Sequence, residues 1–112
     1  YFRPETVSMF TAKQSDVSRR GLGFDRWDPK SSNGYPSKLA SPQTFGHTGY
    51  TGTCVWVDPK YNLVYVFLSN RVHPVVTNKL SDLNIRGRIQ DVIYRAIEKE
   101  TATQSSLTRG SK

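Results

Sequence analysis

Two apolar runs separated by a turn sequence constrain this chain more than any other feature. Thr53-Cys54-Val55-Trp56-Val57-Asp58 and Leu63-Val64-Tyr65-Val66-Phe67-Leu68-Ser69 are rich in β-branched and aromatic residues, which suit a pleated, half-buried surface. Pro59-Lys60-Tyr61-Asn62 lies between them, and its proline and asparagine are turn formers with defined backbone preferences. The pattern predicts a β-hairpin. The second run is apolar at every position from Leu63 to Leu68, so it is expected to be central or covered on both faces.

The flanking segments fill in the rest. Pro4 to Lys13 reads as a short helix, with Pro4 and Glu5 suited to its first turn and Val7, Met9 and Phe10 forming a crude apolar stripe. Leu22 to Trp27 alternates and predicts a strand. Asp28 to Pro42 is rich in Pro, Ser, Gly and Asn and predicts a long loop, and a further strand begins at Phe45. Val72 to Asn78 is a second loop. Ser81 or Asp82 then caps a helix whose apolar stripe is Ile85, Ile89, Val92, Ile93, Ala96 and Ile97. Thr101 to Lys112 is polar and expected to be a disordered tail. The fold class is therefore α+β: an antiparallel sheet, built from a three-strand meander plus one strand, packed against a C-terminal helix.

Composition bounds the function. Hydrophobic residues make up 36%, below the usual range of about 45–50%. Either part of the chain is unstructured or part of its core lies in other residues. Sixteen Lys and Arg against nine Asp and Glu give +7, but the basic residues are scattered rather than interleaved with aromatics on one face, which argues against a nucleic-acid partner. Cys54, the single cysteine, precludes an internal disulfide and reads as a small buried hydrophobe. No apolar run approaches the roughly 18 residues of a membrane span, so no membrane segment is expected. The start at Tyr1 suits a fragment or a processed product.

Just before the hairpin stands His47-Thr48-Gly49-Tyr50-Thr51-Gly52-Thr53. Read as a strand, it would let a ligand lie against backbone, because Gly49 and Gly52 carry no side chain to block its approach. His47 and His73 have no carboxylate at a helical ligand spacing, so no metal and no cofactor are expected. His73, before Pro74, reads as a loop histidine. Trp27, Tyr35, Tyr50 and Trp56 could form a stacking surface; Trp56 reads rather as packing and Tyr50 as the one facing a pocket. Arg71 could bind an anion, but reads rather as a solvated or ion-paired residue after the strand. Nothing selects a serine for a triad built within this chain alone.

The ordered set Phe45-Gly46-His47-Thr48-Gly49-Tyr50-Thr51-Gly52-Thr53, Val57-Asp58-Pro59 and Leu63 to Pro74 is similar to the C-terminal portion of the β-lactamase and penicillin-binding-protein superfamily. Within it, the set resembles the class C-like and esterase-like branch, where His-Thr-Gly stands for Lys-Thr-Gly, and Leu22-Gly23-Phe24 resembles that branch's Leu-Gly-Trp segment. The resemblance spans roughly residues 4 to 98. It implies that residues 1–100 are the C-terminal part of a β-lactamase-like domain. His47 and Thr48 would face a substrate carboxylate or the catalytic hydroxyl network, Gly49 would allow close backbone approach, and the Tyr50 N–H would be one of two oxyanion-hole donors. A fixed N–H at that place stabilises the charge developing on a carbonyl oxygen.

The family's nucleophile motif, Ser-x-x-Lys, does not occur in this chain, nor does Tyr-x-Asn. Ser31-Ser32-Asn33 matches Ser-x-Asn only formally, fourteen residues before His47 and in a loop. The resemblance therefore implies a fragment of a serine hydrolase of β-lactamase, D,D-peptidase or esterase type, inactive alone, whose partner is the remainder of the hydrolase domain. It also implies a cell-wall peptide, β-lactam or ester as substrate and a periplasmic or cell-envelope parent. An exposed sheet face would invite a homodimer. The alternative is a non-catalytic binding or structural module that keeps the sheet.

Overall fold

A computed structural model describes residues 1–31 and 36–110. Helix α1 (Pro4–Thr11) comes first, then strands β1 (Asp25–Arg26), β2 (Phe45–Thr48), β3 (Cys54–Asp58) and β4 (Leu63–Phe67), then a short helix α2 (Lys79–Asp82) and the long helix α3 (Ile85–Arg109). The strands form one antiparallel sheet in the order β1-β2-β3-β4. The α+β class and the meander follow the sequence pattern. Asn62, at φ 49°, supplies the left-handed residue that closes the β3–β4 turn.

Several elements differ in extent. The strand expected over 22–27 shrinks to Asp25–Arg26, because Gly23 takes φ +81° and the Gly21 N–H donates to the Phe24 carbonyl at 2.8 Å. Residues 21–24 are thus a turn, beyond which Arg20 bridges back to Asp25. β4, expected to be central or covered on both faces, is an edge strand with one face open: Val64 and Val66 are exposed, together with Val55 and Leu68. An all-apolar run marks a strand made to be covered on both faces, and this chain covers one. The tail expected to be disordered is helical through Arg109. Glu98, Lys99, Glu100, Ala102 and Gln104 are good helix formers, and the hydroxyls of Thr101, Thr103 and Thr108 donate to carbonyls four residues earlier.

The core lies between the sheet and α3. Cys54, Trp56 and Tyr65 form its buried cluster, with Phe67 and Ile93 packed against it. α3 buries only part of the stripe its apolar periodicity suggests: Ile85, Ile93 and Ile97 are half-buried and Ala96 is exposed. Its buried residues are Arg86, Gly87, Gln90 and Tyr94, whereas Ile89 and Val92 are exposed. Polar partners on the sheet side decide this. The Tyr65 hydroxyl donates to the Arg86 carbonyl (3.1 Å), and Arg86 Nη1 donates to the Thr53 carbonyl (2.9 Å). Gln90 Oε1 accepts from the Ser37 N–H (2.8 Å), and the Tyr94 hydroxyl donates to Asp58 (2.7 Å). Asn84, left-handed at φ 47°, is the N-cap of α3, and Ser81 and Asp82 belong to α2 instead.

Asp58, 1% exposed, is the hub of this polar layer. Its carboxylate accepts from the Ser41 N–H (2.8 Å), the Ser41 hydroxyl (2.6 Å), the Tyr94 hydroxyl and the Lys60 N–H (3.1 Å). Burial by itself raises the carboxyl, but the donors from Ser41 and Tyr94 outweigh it and hold Asp58 below the usual aspartate value. For the same reason Tyr94 is pushed up, by burial first and by the Asp58 carboxylate second. One buried acceptor thereby ties β3, the loop before β2 and α3 together.

Candidate active-site strand end

β2 carries the His-Thr-Gly segment into the next turn. Its register, His47 opposite Val55 and Thr48 opposite Cys54, puts His47 on the open sheet face and Thr48 on the helix face. β2 covers Phe45–Thr48, where the sequence places the start of a strand, but it does not continue through Thr53 as the glycine-studded segment suggests: Tyr50-Thr51 form a turn. The Gly49 N–H donates to the Thr53 carbonyl at 2.8 Å and the Gly52 N–H to the Gly49 carbonyl at 3.1 Å. Tyr50 is 70% exposed, and among the described residues its N–H has no acceptor. The donor singled out by resemblance is therefore open at a strand end.

The glycines serve the chain's own packing. A Cβ at Gly49 would meet the Thr53 hydroxyl. One at Gly52, whose φ is +107°, would meet Ser69 Oγ at 2.6 Å and Leu80 at 2.9 Å. Gly46 is the most constrained of the three, because a Cβ there would run into the Val55 carbonyl and the Trp56 ring. The space beside Gly49 and Gly52 is thus occupied by this chain itself.

Two arginines that the motif does not contain hold the site. Arg71 donates from Nε to the Tyr50 carbonyl and from Nη1 to the Thr77 carbonyl (3.0 Å) and Asn78 Oδ1 (3.1 Å). Its guanidinium stacks 4.5 Å from the centre of the Tyr50 ring, and its own N–H donates to the Thr51 carbonyl. Arg71 is thus a clamp on the Tyr50 turn rather than a merely solvated residue. On the other side, Arg20 Nη1 lies 2.9 Å from His47 Nε2, and His47 Nδ1 lies 2.7 Å from the Thr48 carbonyl. Arg20 also pairs with Asp25, 1% exposed, through Nε at 2.9 Å, and Arg19 reaches the same carboxylate at 3.2 Å. The signal for Arg20 was present in the sequence: opposite charges at Arg20 and Asp25 flank a Gly-x-Gly turn. Arg71 had none beyond its place after the strand.

Other candidates lie elsewhere. His73 is exposed in the loop before α2, and Trp56 is core. Trp27 lines a cavity of about 580 Å³ with Lys13, Arg19, Arg26 and Asp28. An apolar cavity of about 380 Å³ lies between α1 and the sheet, among Phe2, Val7, Phe10, Phe24 and Phe45. Neither includes His47, Thr48, Gly49 or Tyr50. Tyr35, Ser32 and Asn33 lie outside the described residues. Among the described residues, no serine hydroxyl is hydrogen-bonded to a histidine, and no group of three His, Cys, Asp or Glu could hold a metal. What the arrangement offers is donors, a Tyr50 N–H with no acceptor among the described residues and the Arg20 guanidinium beside His47, while Thr48 points to the opposite, helix face.

Comparison with known proteins places the chain in a family. The chain is 33% identical over 109 residues to an Escherichia coli K12 protein bearing the provisional name D-alanyl-D-alanine carboxypeptidase; the match covers 88% of this chain and 25% of that protein. Proteins of the same provisional name from Salmonella gallinarum and Salmonella newport are each 38% identical over 107 residues, covering 87% of this chain and 25% of theirs. The chain thus spans about a quarter of the length of these relatives. No solved structure gives a significant match. The Beta-lactamase family model matches residues 2–87, and the chain belongs to that family.

Proposed function

We propose that this chain is the substrate-side, C-terminal portion of a serine hydrolase of the family's class C-like and esterase-like branch. The reaction is acyl transfer: a serine supplied by other residues attacks an amide or ester carbonyl, and water releases the acyl group. The free Tyr50 N–H at the end of β2 carries this reading. A rigid backbone donor held by a sheet on one side and by Arg71 on the other is pre-organised for an oxyanion. Removing one such donor typically lowers the rate about 10²–10³-fold. His47, Thr48 and Gly49 line the same strand end, where the substrate's polar groups would lie. The relatives' names favour a D-alanyl-D-alanine peptide over a β-lactam or a simple ester.

The partner in this reading is the remainder of the domain. Two apolar surfaces support it: the open sheet face of Val55, Val64, Val66 and Leu68, and the Ile89–Val92 side of α3. Both have the residue types and periodicity of surfaces meant to be covered. A protein of the relatives' full length should be labelled by a fluorescent penicillin at a serine outside the 112 residues, and the present chain should not be labelled. Labelling of a serine within this chain would overturn the reading. So would a full-length protein that binds the peptide and never turns it over, which would make the sheet a binding module.

A further inference from the structure

Away from the His47–Tyr50 strand end, Arg26 carries a charge that the chain does not balance. Its side chain runs from β1 to the C-terminus of α1 and the loop before β2. Nη1 donates to the Thr11 carbonyl (2.6 Å) and the Gln43 carbonyl (2.9 Å), and Nη2 donates to the Pro42 carbonyl (2.9 Å). A guanidinium has five N–H donors. Among the described residues the buried Nε–H and one Nη2 N–H find no acceptor, and no carboxylate pairs with the group. Carbonyl dipoles satisfy donors without cancelling the charge. Burial disfavours the charged form, a cost that a bound anion would offset.

Arg26 lines the cavity of about 580 Å³ that also holds Trp27. Residues 13–19, after α1, and 26–30, after β1, form its two walls. The walls are pinned together: the Arg26 N–H donates to the Arg19 carbonyl (2.9 Å), and the Arg19 side chain reaches Ser31 (3.3 Å) and Asp25 (3.2 Å). Among the described residues the lining carries four cations, Lys13, Arg19, Arg26 and Lys30, against two carboxylates, Asp16 and Asp28. Four minus two leaves a charge of +2. Asp25, behind Arg19, is balanced by Arg20 and does not change that sum. Lys13 and Asp16 pair with each other at 2.8 Å, so the excess falls on the side of Arg19, Arg26 and Lys30.

A carboxylate would answer half of this excess. A phosphate monoester brings about 1.5–2 negative charges at neutral pH and three strong acceptor oxygens. The half-buried Trp27 ring, with Pro29 and Pro42 nearby in the lining, offers an apolar face beside the cations. The volume lies within the roughly 300–1,000 Å³ of small-molecule sites. We propose that this cavity binds a phosphate monoester of a ring-bearing compound, its phosphate among Arg19, Arg26 and Lys30 and its ring against Trp27. No residue from His47 to Tyr50 lines the cavity, so this inference is independent of the hydrolase reading.

The test is a titration of the 112-residue chain, followed by the ¹H–¹⁵N signals of its amides and of the Trp27 indole. Salt is held at about 0.15 M so that diffuse attraction to exposed charge is screened. Phenyl phosphate should give saturating shifts confined to residues 13–19 and 26–30 and to the Trp27 indole. It should bind about tenfold more tightly than benzoate, which has the ring and one charge, and than inorganic phosphate, which lacks the ring. Lys30→Glu removes the excess charge at an exposed side chain and should weaken phenyl phosphate at least about tenfold. Trp27→Ala should weaken phenyl phosphate about fivefold and leave inorganic phosphate unchanged. Arg26 stays in place throughout, because its three carbonyl bonds hold the cavity together. Shifts that do not saturate or that centre elsewhere overturn the proposal. So does benzoate or inorganic phosphate binding as tightly as phenyl phosphate, or an unchanged affinity in Lys30→Glu. Should Trp27→Ala lose its dispersed spectrum, Lys30→Glu and the three-ligand comparison decide.

Discussion

Replacing Asp58 tests whether one buried carboxylate organises the junction of sheet, loop and helix. In Asp58→Ala, the Ser41 N–H and the Tyr94 hydroxyl both lose their acceptor inside the protein, with Tyr94 0% and Ser41 4% exposed. A buried donor left unpaired costs about 1–3 kcal/mol, so two of them predict a loss of about 3–5 kcal/mol. That is a large share of the roughly 5–15 kcal/mol that holds a domain together. Asp58→Asn should cost less, about 1–2 kcal/mol, near a single ordinary hydrogen bond. The amide oxygen can take the place of Oδ2 and keep both buried donors, the Ser41 hydroxyl can turn to accept from the amide N–H, and only the exposed Lys60 N–H is left to water. Urea unfolding followed by fluorescence of the buried Trp56 gives both values, with equal m-values required for the comparison.

The pH dependence carries the same logic. Asp58 is held below its unfolded value near 3.8, so the native state binds fewer protons at acid pH. Its contribution is complete above the unfolded value and is lost as pH falls through the folded one. Asp58→Asn should therefore flatten the loss of stability below about pH 4. A loss under about 1 kcal/mol in Asp58→Ala, or an acid limb unchanged in Asp58→Asn, would refute the role given to this carboxylate.

Gly46→Ala should destabilise by about 3 kcal/mol, the upper end for overpacking, because its Cβ meets backbone at Val55 that cannot rotate away. Gly49→Ala, which meets only the Thr53 hydroxyl, should cost clearly less in the same urea titration. Cys54 is buried and its thiol is pushed up by that burial, so a disulfide reagent should modify it on the order of a hundredfold more slowly in the native protein than in urea; equal rates would place Cys54 outside the core. Every residue from Glu98 to Gly110 is exposed, and a helix without tertiary packing is marginal in water. Amide exchange should therefore be protected up to about Ile97 and fast beyond it, and uniform protection to Arg109 would contradict this.

Local chemistry made much of the fold legible from sequence. The β3–β4 hairpin could be read because its signals are adjacent in the chain: β-branched runs, a proline and an asparagine that accepts φ 49°. The burial of Cys54 and Trp56 was equally readable. The extents that were misread have local causes too, such as the left-handed Gly23 that turns a predicted strand into a turn, and the helix formers that carry α3 through the expected tail.

Other features depended on which segments meet across long stretches of chain. Whether β4 is central or an edge depends on what pairs with it, and an apolar run specifies only the wish to be covered. Which side of α3 faces the sheet was decided by Asp58, Thr53 and Tyr65, whose polar groups reach Tyr94 and Arg86 and outweigh the isoleucine stripe. Arg20 and Arg71 join the site from 27 and 21 residues away from His47 and Tyr50. Sequence alone thus determined the hairpin and the family, because these rest on neighbouring residues and their order. Only the tertiary structure decided which face is buried, where β2 ends and which guanidinium stands beside His47, because hydrogen bonds of buried and charged groups are settled by the partners that folding brings within reach.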